Sequence, residues 1–141
     1  LEVIHLKGAY VFGEDSYTPI TGITDGTSNT FAMGEQTLNS QNGNTPSWAY
    51  RGWAQVGIDP MGIDNTTSPP YGLNLWEVAF NGYANEVGIR ASWYVAASQH
   101  PGGVNFVFCD GSVRFVQQTI DAVSLNELCM KSDGFVIPTV P

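Results

Sequence analysis

The sequence predicts a mainly β domain with minor α, an antiparallel sheet built round a C-terminal β-hairpin with one short helix near the C-terminus. Three observations carry this. Short apolar runs recur between clusters of Gly, Pro, Asn, Asp and Ser, the pattern of strands separated by turns. The pair Asp110-Gly111 stands between two apolar, alternating segments, which is a strong short-range hairpin signal. Helix-start chemistry is clearest in one place, at Ser124, where a small hydroxyl residue is followed by Glu three positions later.

The bulk composition bounds the rest. The 141 residues suit one domain with its own core. Charged residues make up 13% of the chain, about half the usual share. Basic residues number 5 against 13 acidic ones, for a net charge of −8. Nucleic-acid affinity rests largely on Lys and Arg neutralising phosphates, so nucleic acid is excluded as a partner. An anionic membrane surface is disfavoured for the same reason. No apolar run approaches the roughly 20 residues that span a bilayer. The chain opens on Leu1 rather than Met. Residues 1–141 are therefore expected to be a single globular domain, a fragment or a processed form of a longer chain.

The elements are expected in this order. Residues 8–12 form a short apolar strand, followed by a turn. Residues 20–30 are rich in Thr, Gly, Asp, Ser and Asn. Asp25-Gly26 is a turn signal there, and Asp25, Ser28 and Asn29 can bond nearby backbone. A strand runs over 30–38, with Phe31, Met33 and Glu35 on one face by period two. Residues 39–47 are a polar loop, 48–56 an alternating strand and 57–72 a long loop. Residues 73–80 and 89–97 are apolar enough for strands.

The hairpin is the most fully specified element. A two-residue type I′ loop needs φ > 0 at both Asp110 and Gly111. It pairs Cys109 with Ser112, Phe108 with Val113, Val107 with Arg114 and Phe106 with Phe115. Phe106, Phe108, Val113 and Phe115 then share the core face. The helix is expected to start at Ser124 as N-cap, with Glu127 closing a capping box. Leu125, Leu128 and Cys129 form its apolar stripe, and Gly134 is a candidate stop. Residues 135–137 are extended up to Pro138.

Two segments carry a family resemblance. One is Ile23-Thr24-Asp25-Gly26-Thr27-Ser28-Asn29-Thr30, followed by Gly34-Glu35. The other is His100-Pro101-Gly102-Gly103-Val104-Asn105-Phe106, followed by Asp110-Gly111-Ser112-Val113-Arg114-Phe115. Together they resemble the bacterial prepilin-like proteins that carry a C-terminal His-x9-Asp-Gly domain. The resemblance covers most of residues 20–134 and is divergent in the middle. It implies a pilin-like globular domain that is exported to the cell surface or beyond. It also implies a prepilin leader and a hydrophobic N-terminal helix, which residues 1–141 are expected to lack. Homo-oligomer or filament partners follow from the same likeness. The position before Asp-Gly is commonly Ala in that family, and here it is Cys109.

The spacing of His100 and Asp110 first suggests a metal or acid/base pair. A strand rises about 3.3 Å per residue, so residues 104–109 put roughly 17–20 Å between the start of the strand and the turn. The two side chains therefore belong to opposite ends of a hairpin. Asp110 and Gly111 are read as the turn. His100 is read as a loop anchor, with Glu35, Asp25 or Asn29 as candidate partners. The structural motif is thus His100, Asp110, Gly111, Asp25, Gly26, Asn29 and Glu35. Asp25, Ser28 and Asn29 also admit a small cation loop, with Ca2+ as the candidate ion, though a capped turn is the simpler reading. No EF-hand spacing, Gly-x-Ser-x-Gly, Cys-x-x-Cys or His-Glu-x-x-His occurs, so neither a catalytic residue nor a bound cofactor is assigned. Cys109 and Cys129 are compatible with one disulfide or with two buried thiols. Trp48, Trp53 and Trp76 are a candidate ligand platform, with the 57–72 loop as its rim, although aromatics more often fill cores.

The leading expectation is a structural subunit or accessory domain of a pilin- or pseudopilin-like extracellular assembly, and not an enzyme. The alternative is a cell-surface glycan- or protein-binding module. A metal-dependent enzyme comes third.

Overall fold

The computed structural model describes residues 11, 17–40, 43–44, 72–76, 87–90 and 95–135. Of the expected strand at 8–12 only Val11 is described, buried and in a bend; the expected strand at 48–56 and all of the expected 57–72 loop but Gly72 lie outside the described residues. So do Trp48 and Trp53.

The described part is mainly β, with an antiparallel sheet and one helix near the C-terminus. Its principal sheet has three strands in the order β1-β5-β6: β1 is Phe31–Gly34, β5 Gly103–Phe108 and β6 Val113–Gln117. Both pairings are antiparallel. A smaller sheet joins β2 (Asn39–Ser40), β3 (Gly43–Asn44) and β4 (Ile89–Arg90). There β2 pairs antiparallel with β3 and parallel with β4. The helix α1 spans Ala122–Cys129. Among the described residues, no helix is long and apolar enough to cross a membrane.

The core lies on one face of the principal sheet. Alternation along β5 buries Val104, Phe106 and Phe108 completely, while Asn105 and Val107 stay half-buried on the other face. Phe31 of β1 stacks on Phe106 with ring centroids 4.0 Å apart, and meets Phe108 edge-on at 5.0 Å. Leu125, Leu128 and Cys129 of α1 complete this cluster with Val116 and Ile120. Full burial of each phenylalanine contributes roughly 1.5–3 kcal/mol. The expected stripe of α1 is the one the core uses.

The hairpin turns where expected but in a different register. Val107 pairs with Val113, Phe106 with Arg114 and Asn105 with Phe115. The Gly111 N–H donates to the Phe108 carbonyl at 2.9 Å, and the Phe108 N–H donates to the Ser112 carbonyl at 2.9 Å. Gly111 has φ +85°, whereas Asp110 does not enter the left-handed region. This is a three-residue loop, Cys109-Asp110-Gly111, with a type I turn and a glycine bulge. It replaces the expected type I′ loop. The extra loop residue moves the pairing by one. Arg114 and Val116 then share the inner face, while Val113 (65% exposed) and Phe115 (44% exposed) turn outward. The Arg114 guanidinium lies 4.2 Å from the Phe108 ring centroid and 3.7 Å from the Asp110 carboxylate.

Other elements differ for local reasons. The strand expected over 30–38 is Phe31–Gly34, with a bulge between Phe31 and Met33. The bulge breaks the period of two, so Phe31 faces the core and Met33 is 62% exposed. The helix begins three residues before the expected cap. Asp121 is its N-cap: one carboxylate oxygen accepts the Ser124 N–H at 2.9 Å, and the other accepts the Ser124 hydroxyl at 2.7 Å. An Asp cap is as favourable as Ser, and the earlier start adds Ala122, Val123 and Ser124 to the helix ahead of its buried stripe. Gly134 (φ +83°) does not end α1, whose C-cap is Met130. Residues 95–98 are buried but not in a strand, and the 73–80 segment contributes only an isolated bridge, Trp76 to Arg90, among the described residues.

Candidate functional site: a clasp between two motif segments

The two motif segments meet at both ends of the principal sheet. At the turn end, residues 25–30 form a compact loop. Gly26 adopts φ +97°, and its carbonyl accepts the Asn29 N–H at 2.9 Å and the Thr30 hydroxyl at 3.1 Å. The Asn29 side-chain amide donates back to the Asp25 carbonyl at 3.2 Å. A Cβ on Gly26 would stand 3.1 Å from that amide nitrogen, in addition to the strain of its φ. The loop then presents its carbonyls to the hairpin turn. Thr30 O accepts the Cys109 N–H at 2.9 Å, and Thr27 O accepts the Asp110 N–H at 3.0 Å. The Asp110 carboxylate accepts the Ser112 N–H at 2.8 Å. Asp110 thus shapes the turn from within while its backbone docks on the other segment.

Asp25 has a further role. Its carboxylate is 4% exposed as a residue and accepts two backbone N–H groups, from Asp133 at 2.8 Å and Gly134 at 3.0 Å. The Thr24 and Asp25 N–H groups donate to the Lys131 carbonyl at 2.8 and 3.3 Å. The Lys131 ammonium donates to the Thr18 hydroxyl at 3.0 Å. The segment after α1 is therefore pinned to the Asp25 loop. Both oxygens of Asp25 are engaged by N–H donors, the arrangement of a capped loop. Among the described residues, no three His, Cys, Asp or Glu side chains converge as metal ligands.

At the other end, Glu35 is the centre. Its N–H donates to the Asn105 carbonyl at 3.2 Å. Its carboxylate accepts the Asn105 N–H at 3.0 Å and the Asn105 side-chain amide at 3.2 Å. His100 Nε2 lies 3.4 Å from Glu35 Oε1, with the ring 59% exposed. Of the three candidate partners, the ring sits beside Glu35. The His100 N–H donates to the Ser98 hydroxyl at 3.0 Å. Burial by itself would raise the Glu35 pKa. The Asn105 donors, the Ser98 hydroxyl and the neighbouring His100 outweigh it and hold the carboxyl below its ordinary value. An open groove of about 460 Å3 borders this end, lined by Glu35, Leu38, Asn39, Gln99 and His100 among others.

His100 precedes β5 and Asp110 follows it, so strand β5 separates them. Gly102 and Gly103 make the approach. Gly102 has φ +85°, and its carbonyl accepts the Gln118 N–H at 2.8 Å. Gly103 lies under Phe115: a Cβ there would collide with the Val116 carbonyl and reach 2.7 Å from the Phe115 ring.

The cysteines are not joined. Cys109 sits in the hairpin turn and Cys129 in the core face of α1, and no disulfide links them. Burial, then the Asp110 charge, pushes the Cys109 thiol up, which disfavours the reactive thiolate. Of the aromatic platform, only Trp76 falls among the described residues, half-buried and bridged to Arg90.

Several residues that hold the site were not singled out from sequence. Asn105 is one, and an Asn inside an apolar strand is itself a signal, since strands are depleted in it. Asn74 is another. It adopts φ 53°, accepts the Ser98 N–H at 2.8 Å and donates to the Gly103 carbonyl at 3.2 Å and to Gln118 at 3.1 Å. The buried Arg90 donates to the Val95 carbonyl at 3.1 Å, and burial pushes its pKa down to about 10.

A model of the family described as protein of unknown function (DUF1559) matches residues 4–123. The matched span holds both motif segments and ends at the start of α1. No curated protein and no solved structure matches the chain.

Proposed function

We propose that this chain, which belongs to the DUF1559 family of unknown function, is the exported domain of a prepilin-like protein carrying a C-terminal His-x9-Asp-Gly domain. It serves as a structural subunit or accessory domain of a pilin- or pseudopilin-like extracellular assembly. The observation that carries the reading is the outer face of the principal sheet. Met33, Val107 and Val113 lie in one cross-strand row, and Phe115 lies in the next. Met33, Val113 and Phe115 together expose on the order of 300 Å2, the size of the largest apolar patch on a typical monomer and often a functional one. The polar motif residues support it from the other side. Asp25, Asn29, Glu35 and Asp110 hold backbone in place, and His100 flanks Glu35. These are the attachments of a rigid building block, and its copies would pack through the apolar sheet face.

Sedimentation analysis and electron microscopy test this. The wild-type chain is expected to self-associate as concentration rises, and the Met33→Lys/Val113→Lys double variant to stay monomeric with unchanged thermal stability. A wild type that remains monomeric at about 100 μM, together with no filaments containing the chain in native material, would overturn the proposal.

A further inference from the structure

We draw no further inference here: the strongest candidate, the open groove between residues 35–39 and 97–100, belongs to the site already described, because its carboxylate, Glu35, is already engaged by Asn105, Ser98 and His100 and its exposed lining of Leu38, Asn39 and Gln99 singles out no class of ligand.

Discussion

Replacing Asp25 by Ala tests whether the loop of the first motif segment pins the chain beyond α1. The buried carboxylate accepts the N–H groups of Asp133 and Gly134 at 2.8 and 3.0 Å. A hydrogen bond to a charged group contributes about 1.5–3 kcal/mol, so two give about 3–6 kcal/mol if both donors are left unmet. Asp133 and Gly134 are exposed residues, and water can reach their amides once the carboxylate is gone. That lowers the expected loss to about 2–3 kcal/mol. For a chain of this length the melting temperature should fall by roughly 6–12 °C. Asp25→Asn keeps one acceptor oxygen and should lose about half as much. Urea denaturation gives the stability change, with an unaltered slope showing that compactness is preserved. Amide exchange adds a local reading: the Asp133 and Gly134 amides should exchange faster in the Ala variant. A stability within about 0.5 kcal/mol of wild type, with both amides as protected as before, would refute the clasp.

Three further outcomes follow from the same geometry. Glu35 has a folded-state pKa below its ordinary value, so its contribution is fully present above the unfolded carboxyl pKa and is lost as pH falls through the folded one. The stability gap between wild type and Glu35→Gln should therefore shrink between about pH 5 and pH 3; a gap that widens on acidification would contradict the assignment. Gly103→Ala drives a Cβ into the Val116 carbonyl and the Phe115 ring, and should cost at least about 2 kcal/mol in urea denaturation. Gly102→Ala meets open space and only the strain of φ +85°, about 1–2 kcal/mol; equal losses at the two sites would count against the close approach. In the turn, Gly111→Val should cost about 1–2 kcal/mol through its φ. Asp110→Gly removes the acceptor for the Ser112 N–H and should lower the melting temperature, whereas in a type I′ turn it would be neutral or stabilising.

Much of this fold is legible in the chain because it is decided within a few residues. The alternation of Val104, Phe106 and Phe108 buries one face of β5 whatever lies beside it. Leu125, Leu128 and Cys129 fall on one side of α1 by helical spacing alone. Gly26 and Asn29 close their own turn. His100 and Asp110 are kept apart by the length of one strand, which turns an apparent catalytic pair into a loop flank and a turn. The helix start, the β1 bulge and the hairpin loop differ from expectation for one reason: each is a choice between local options of nearly equal energy. Asp121 and Ser124 are both good helix caps, Phe31 and Met33 suit either side of a bulge, and Asp-Gly serves either a two- or a three-residue loop.

What the sequence determined by itself is therefore the presence of the hairpin, the apolar faces of β5 and α1, and the turn-forming character of residues 25–30. Tertiary structure decided the rest. The three-residue loop is seen with its Cys109 and Asp110 N–H groups docked on the carbonyls of Thr30 and Thr27, a contact between segments about eighty residues apart by sequence number. That docking accompanies a register in which Phe115 and Val113 face outward. The partners of Asp25 lie 108 and 109 residues along the chain, and that of Glu35 lies 70 residues along it. The physical reason is that a turn, a cap or an alternating strand is selected by neighbours a few residues away, while a carboxylate or a carbonyl accepts any donor the fold brings to it. Residue type announces that capacity, and only the assembled sheet names the donor.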